Sequence, residues 1–376
     1  MKQKKNRKAM HAFHIIITFL VICTCTVVLC ACGKSGRENS PFPSPTGTIA
    51  KGDYLVIPLT SGAVSPISAM SYDLLNTVVT IQLYDTTDYT ILNECFALID
   101  RYEQIFSRTK ETSEVYKINH STETSFTISD ELRELITLSL TYCNLSEGAF
   151  DISIAPLTSL WDFTGAEHKS SVPDAQALAE ALTSVDYNAI QLNGNTLTFL
   201  KPDMQLEFGA IAKGFIADKV KEYLVSRGVT SGIINLGGNI LLIGEKPDGS
   251  AFHVGIQKPF EDRDSVLVAI SELKDVSMVS SGIYERYFYD ENGTFYHHIL
   301  DPKTGYPYDA GLLQVTIISP SSAMGDALST SCFALGLKKG LELVQSLPDV
   351  YAVFITADGQ LHFSDGYLEN LPTRTE

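Results

Sequence analysis

Asp326 and Thr330 stand four residues apart in Gly325-Asp326-Ala327-Leu328-Ser329-Thr330, a stretch that reads as helix, so a carboxylate and a hydroxyl emerge on one face a turn apart. Hard cations such as Mg2+ want oxygen ligands; this pair supplies two, while water or a substrate phosphate fills the rest of the shell. The same spacing fits a first-turn Asp favoured by the helix dipole and a Thr bonded back to a carbonyl, and on spacing alone that is the commoner arrangement. Lys213 is bracketed by Gly209-Ala210 and Gly214 at the start of another predicted helix. Free N–H groups there can hold a phosphate and the ammonium can neutralise it, although the GxxxxGK[ST] order of a P-loop is absent. An exposed Lys on a turn into a helix explains that segment equally well.

His297-His298-Ile299-Leu300-Asp301-Pro302 sits where a strand meets a turn. Two neighbouring strand residues point to opposite faces, so at most one histidine lines a site. As a functional group it would be a base near neutral pH; the bland alternative is a structural His. Gly237-Gly238-Asn239 allows close backbone approach or a sharp bend. Tyr284, Tyr287, Phe288 and Tyr289 suit either stacking on a flat ring or a sheet core.

The elements that must position these groups follow from periodicity. Val78 to Tyr84 reads as the first strand. Ile91, Cys95, Leu98, Ile99, Tyr102, Ile105 and Phe106 form one stripe of a helix from about Tyr89 to Phe106. Another helix starts near Ser129 or Asp130, with Leu132, Leu135, Ile136, Leu140 and Cys143 buried, and a third starts at Pro173 and runs to about Leu182. Asn193-Gly194-Asn195 predicts a hairpin between Tyr187–Leu192 and Thr196–Leu200. A helix with the stripe Ile216, Val220, Tyr223 and Leu224 follows Lys213 and ends at Gly228. Beyond it, strands are expected at Ile233–Leu236, Ile240–Ile243, His253–Ile256, Val266–Ile270, Tyr284–Tyr289, Thr294–Leu300 and Val315–Ile318. Two helices, about Ala323–Leu337 and Lys339–Ser346, then precede a hairpin of Val350–Ile355 and Leu361–Phe363. Runs of strands with intervening helices indicate an α+β fold with largely antiparallel sheet.

The chain has 376 residues, and its first eight carry five positive charges and no acid. An apolar run, Ile15 to Leu29, follows; it is short for a membrane span and reads as a secretory signal. It ends in Leu29-Cys30-Ala31-Cys32, the pattern of a bacterial lipoprotein processing site, with Cys32 as the lipidated new N-terminus. Residues 1–31 are thus expected to be a signal peptide, 32–52 a Gly/Ser/Pro/Thr-rich tether and 53–376 one continuous domain. Two acyl chains on Cys32 would hold the protein on the extracytoplasmic face of the cell membrane. Loss of residues 1–31 leaves 23 basic against 44 acidic side chains, a formal charge of −21, which argues against nucleic-acid binding. Cys95, Cys143 and Cys332, scattered and odd in number, form neither a disulfide framework nor a CxxC metal site and read as core residues.

Taken in order, several segments resemble the ApbE family, the FAD:protein FMN transferases. They are Asn76-Thr77-Val78-Val79; Phe106-Ser107-Arg108 with Ser113-Glu114 and Asn119; Gly148 to Leu157; Gly209 to Gly214 with Ala217-Asp218; Gly237-Gly238-Asn239; His298 to Pro302; and Asp326 to Thr330. The resemblance spans about Asn76 to Phe363. It implies a T-fold-like α+β enzyme that binds FAD in a cleft between its halves, with Mg2+ at the pyrophosphate. Carried over by position, the metal ligands are Asp326, the Thr330 hydroxyl and the Ala210 carbonyl. The flavin nucleotide lies against Ala149, Phe150, Asp151, Glu207, Lys213 and the His298-Ile299 step, with Leu75 near the adenine or ring end. Many members have Met-Gly-Thr where this chain has Leu75-Asn76-Thr77, and Asp where it has Glu207, which must reach one methylene further.

The chemistry implied is attack by a threonine hydroxyl of an exported flavoprotein on the FMN-side phosphorus of FAD, with AMP leaving. His298 is then the expected base, with Asp301 either orienting it or capping the turn. The alternatives are an FAD pyrophosphatase that uses water and a non-enzymatic flavin-binding lipoprotein.

Overall fold

A computed structural model describes residues 54–60, 65–163, 171–262 and 265–375. The proposed signal peptide, Cys32 and the tether lie outside the described residues. The chain runs β1 (Ile57–Pro58), β2 (Ile67–Ser71), β3 (Val79–Leu83), α1 (Tyr89–Phe106), α2 (Glu114–Asn119), β4 (Ser125–Thr127), α3 (Asp130–Leu145), α4 (Ala155–Trp161) and α5 (Ala175–Leu182). A 3-10 turn, Tyr187–Ala189, then leads to β5 (Ile190–Asn193), β6 (Thr196–Phe199), α6 (Ala212–Ser226), β7 (Gly232–Leu236), β8 (Asn239–Ile243), β9 (Phe252–Gln257) and β10 (Val266–Leu273). The last part comprises β11 (Ser277–Gly282), β12 (Tyr287–Tyr289), β13 (Phe295–His297), β14 (Leu312–Ser319), α7 (Ser322–Gln345), β15 (Tyr351–Thr356), β16 (Leu361–Phe363), α8 (Tyr367–Asn370) and β17 (Thr373–Thr375).

A nine-stranded sheet in the order β1-β2-β3-β7-β8-β11-β14-β15-β16 forms the frame. Every neighbouring pair in it is antiparallel, as the α+β reading requires. Pleat alternation divides its central strands between two cores. Leu241, Ile317 and Ala352 join the larger core with α1, α3, α6 and α7. Their neighbours Leu242, Met278, Ile318 and Val353 face the other way, onto Phe252, Ile256, Val268 and Ile270 of β9 and β10. A third, small core gathers Leu157, Trp161, Leu178, Phe288 and Leu300 and ties α4 and α5 to the β12-β13 hairpin. No helix among the described residues is long and apolar enough to cross a membrane.

Several expectations change. β3 is not the first strand: β2 precedes it and pairs along it from Ile67↔Leu83 to Ser71↔Val79. Ile67-Ser68-Ala69-Met70-Ser71 has little β-branched character, so partner strands and burial make it a strand where local preference does not. Periodicity does not mark β11 for the same reason, its residues being Ser-Met-Val-Ser-Ser-Gly. The third helix starts two residues after Pro173, with Asp174 accepting from the Gln176 and Ala177 N–H groups as its N-cap. The first arm of the Asn193 hairpin opens as a 3-10 turn. The two late helices run together as α7, broken at Gly336, whose φ of 76° and ψ of 174° are not helical.

Candidate active site

The site is built where α6 meets the start of α7. Gly214, in the first turn of α6, is pressed against the Ser322 backbone: a Cβ there would lie 2.2 Å from the Ser322 carbonyl oxygen. Only glycine permits this approach, and it brings the Gly214 N–H to 2.9 Å from Asp326 Oδ2. One turn along α6, Asp218 caps α7, accepting from the Ser322 N–H at 2.8 Å, the Ala323 N–H at 2.9 Å and the Ser321 hydroxyl at 2.7 Å. Burial pushes the Asp218 carboxyl above the usual carboxylate range, against those hydrogen bonds.

Asp326 itself is 4% exposed. Lys213 Nζ donates to the Gly209 carbonyl at 3.1 Å and stands 3.9 Å from Asp326 Oδ1, close enough to oppose its charge without a direct hydrogen bond. Because Gly214 gives its N–H to Asp326, no backbone N–H among the described residues donates to the carbonyl of Ala210, the residue four positions earlier. Among the described residues the hydroxyl of Thr330, one turn beyond Asp326, does not bond back to the Asp326 carbonyl; the Ser329 hydroxyl does so at 2.9 Å, and Thr330 Oγ1 meets Ser281 Oγ at 3.1 Å.

Both histidines are resolved by their partners. His297 is buried: its Nε2 donates to the Tyr308 carbonyl at 3.0 Å and its Nδ1 accepts from the Ile299 N–H at 3.2 Å. Its tautomer is fixed and it has no free nitrogen, so it is structural. His298 lies just past the end of β13 and turns its Nδ1 to the Arg286 carbonyl at 3.2 Å. A carbonyl only accepts, so Nδ1 carries the proton; among the described residues nothing engages Nε2, whose lone pair is left for a substrate. Desolvation, reinforced by Arg286, His297 and Lys213, lowers the His298 imidazole to about 3 and keeps it neutral. Asp301 caps the following turn, accepting from the Lys303 N–H at 2.9 Å and the Thr304 hydroxyl at 3.1 Å.

The other expected residues fall into three groups. Tyr308 joins Ala149 to Ile299: its hydroxyl donates to the Ala149 carbonyl at 3.1 Å and its N–H to the Ile299 carbonyl at 3.0 Å. Phe150 is buried beside them, its N–H on Ser146 Oγ at 3.0 Å. Asp151 spends Oδ1 on the N–H and hydroxyl of Ser153, at 2.7 and 2.6 Å, and Oδ2 on the Tyr187 N–H at 3.1 Å. Glu207 pairs with Arg108 and accepts from Thr158 Oγ1 at 3.0 Å, while its other oxygen rests against Gly209, next to the carbonyl that holds Lys213. Leu75 stands apart, in a left-handed turn (φ 56°) held by a hydrogen bond from its N–H to the buried Glu103 carboxylate at 3.0 Å.

No local pattern in the sequence marks Tyr308, Ser281 or Glu103, because each acts through a partner far away in the chain. The Gly-Gly turn before Asn239 is a close approach to protein: a Cβ on Gly237 would lie 2.1 Å from Thr77 Oγ1. Among the described residues no three His, Cys, Asp or Glu side chains converge on one point. A set of one carboxylate, one hydroxyl and one carbonyl nevertheless suits Mg2+, which keeps several waters and takes phosphate oxygens from its substrate.

A family model described as the ApbE family matches residues 75–355. The chain is 36% identical over 294 residues to an FAD:protein FMN transferase of Klebsiella pneumoniae (strain 342), spanning 77% of this chain and 90% of that protein. It is 33% identical over 299 residues to one of Treponema pallidum (strain Nichols), spanning 75% and 82% respectively. Among solved structures, the flavin transferase ApbE of Vibrio cholerae aligns with a TM-score of 0.72 at 25% identity, over 84% of this chain and 99% of that one. The ApbE protein of Thermotoga maritima aligns with a TM-score of 0.71 at 28% identity, over 84% and 98%.

Proposed function

This chain belongs to the ApbE family, and from that premise we propose that it is a magnesium-dependent flavinyltransferase that moves the FMN half of FAD onto a threonine hydroxyl of an exported flavoprotein. In the step proposed, the threonine oxygen bonds to the FMN-side phosphorus, the pyrophosphate P–O bond breaks and AMP leaves with the bridging oxygen. The observation that carries the reading is the buried Asp326, held by the Gly214 N–H and 3.9 Å from Lys213, whose charge also acts on the His298 imidazole.

Phosphoryl transfer demands mainly that charge on the phosphate oxygens be offset and that nucleophile and leaving group be held in line. The Lys213 ammonium supplies one positive charge to a molecule whose net charge otherwise repels an anion. Asp326, Thr330 and the Ala210 carbonyl are the groups that would hold Mg2+, which when bound offsets pyrophosphate charge. His298 takes the threonine proton on Nε2; desolvation makes it a weaker base than the one expected near neutral pH, so its contribution is below the roughly 10² to 10⁴ of a base matched to the working pH. The Tyr308 bridge holds Ala149 and Ile299 at a set separation, as two walls of a nucleotide site need. For location we propose the extracytoplasmic face of the membrane with a lipid on Cys32, on the strength of the basic start, the apolar run and the Leu29-to-Cys32 pattern.

The test is incubation of the purified protein with FAD, Mg2+ and a flavoprotein acceptor. The acceptor should gain one FMN and AMP should appear; Asp326→Ala should keep the fold and lose Mg2+-dependent transfer. Free FMN released equally fast with and without acceptor would identify water as the nucleophile. FAD bound but never cleaved would leave only a carrier.

A further inference from the structure

We infer that Ser281, on β11, is a positioning residue that turns the Thr330 hydroxyl so that its lone pairs face the cation; this rests on the cation reading of Asp326, Thr330 and Ala210 proposed above. The argument is a count of protons. A hydroxyl has one to donate. Ser329 spends its proton on the Asp326 carbonyl at 2.9 Å. At the 2.8 Å contact between Ser281 and Ser329, Ser281 is therefore the donor. Its proton being used, Thr330 is the donor at the 3.1 Å contact with Ser281. With the Ser329 proton on the helix carbonyl, as helical serines commonly place it, the relay runs from Thr330 to Ser281 to Ser329 to the Asp326 carbonyl.

The consequence lies at Thr330. A helical Ser or Thr commonly donates to the carbonyl four residues back, as Ser331 does to Ala327 at 2.7 Å. At Thr330 that acceptor belongs to Ser329, and the proton is drawn instead toward β11. Both lone pairs of Oγ1 are then unencumbered, the arrangement a hard cation requires, because a hydroxyl proton aimed at a cation repels it. The relay ends on the carbonyl of Asp326, so one chain of hydroxyls fixes the backbone of one candidate ligand and the proton of another. Ser280, the neighbour of Ser281, faces the opposite side of β11 and meets Thr316 Oγ1 at 2.8 Å.

The experiment is a calorimetric Mg2+ titration with FAD present and acceptor absent, on the wild type, Ser281→Ala, Ser281→Thr and Ser280→Ala, with a thermal melt of each. Loss of a partner that orients a metal ligand costs about 10- to 100-fold in metal affinity, and that weakening is expected for Ser281→Ala. Ser281→Thr, which restores the hydroxyl, should bind Mg2+ close to the wild-type level. Ser280→Ala should keep wild-type affinity whatever its melting point. Ser281→Cys, which keeps the shape but is a weak hydrogen-bonder, should weaken binding as well and serves if the alanine variant does not fold. Wild-type affinity in Ser281→Ala or Ser281→Cys overturns the inference and leaves the cation reading standing. If the wild type takes up no Mg2+ with FAD, the cation reading falls and the inference with it.

Discussion

At the scale of single residues, chemistry at this site is decided by which atom of each group is left over. His297 and His298 are adjacent and chemically identical, yet one has both nitrogens engaged and the other presents a free Nε2. Alternation along a strand predicted that only one would line a site; it could not say which, because that depends on where the Arg286 and Tyr308 carbonyls lie. Desolvation lowers His297 to about 4, from an ordinary 6.5. A depressed imidazole means that the unfolded chain binds the proton that the folded one refuses. Its stabilising effect is therefore complete above about pH 6.5 and is lost as pH falls from there toward 4. By linkage the loss is up to about 3 kcal/mol. Urea melts of the wild type and His297→Gln between pH 7 and 4 should show it as a steeper decline in the wild type, whereas parallel declines would refute it. Asp301, for which the sequence left two roles open, caps its own turn.

At the scale of elements, the decisive contact is α6 against the head of α7. Gly214 and Asp218 belong to one segment and Ser321 to Asp326 to another, and each segment satisfies polar groups of the other. Gly214→Ala puts a methyl group within 2.2 Å of the Ser322 carbonyl oxygen, backbone that cannot rotate away. Such overpacking typically costs about 1–3 kcal/mol. Because the shift also draws the Gly214 N–H off Asp326, Mg2+ affinity with FAD should fall in the same variant. Denaturant melts and Mg2+ titration together check this, and an unchanged value in either would count against the coupling. Helices α1 and α3 were legible because each has a long apolar stripe and a clear start. Strands β2 and β11 were not, because serine and alanine carry no β signal and become strand only when neighbours on both sides pair with them.

At the scale of the whole molecule, one antiparallel sheet covered on both faces leaves Cys95, Cys143 and Cys332 fully buried and free, and burial pushes each thiol up, Cys332 to about 12. Iodoacetamide should therefore leave these three unmodified in the native protein and alkylate all of them in denaturant, and reductant should not move the melting point. Native labelling at any of the three, read by peptide mass, would contradict the packing. The sequence by itself determined the types of the long elements, the antiparallel α+β class, the order of the motifs and the family to which they belong, because hydrophobic period and turn chemistry are local properties. Only the tertiary structure decided which distant groups meet. Gly214 reaches Asp326 across 112 residues, and Tyr308 reaches Ala149 across 159. Periodicity records which face of an element is buried but not what is buried against it. The direction of a hydroxyl's proton and the tautomer of an imidazole are set by that missing partner.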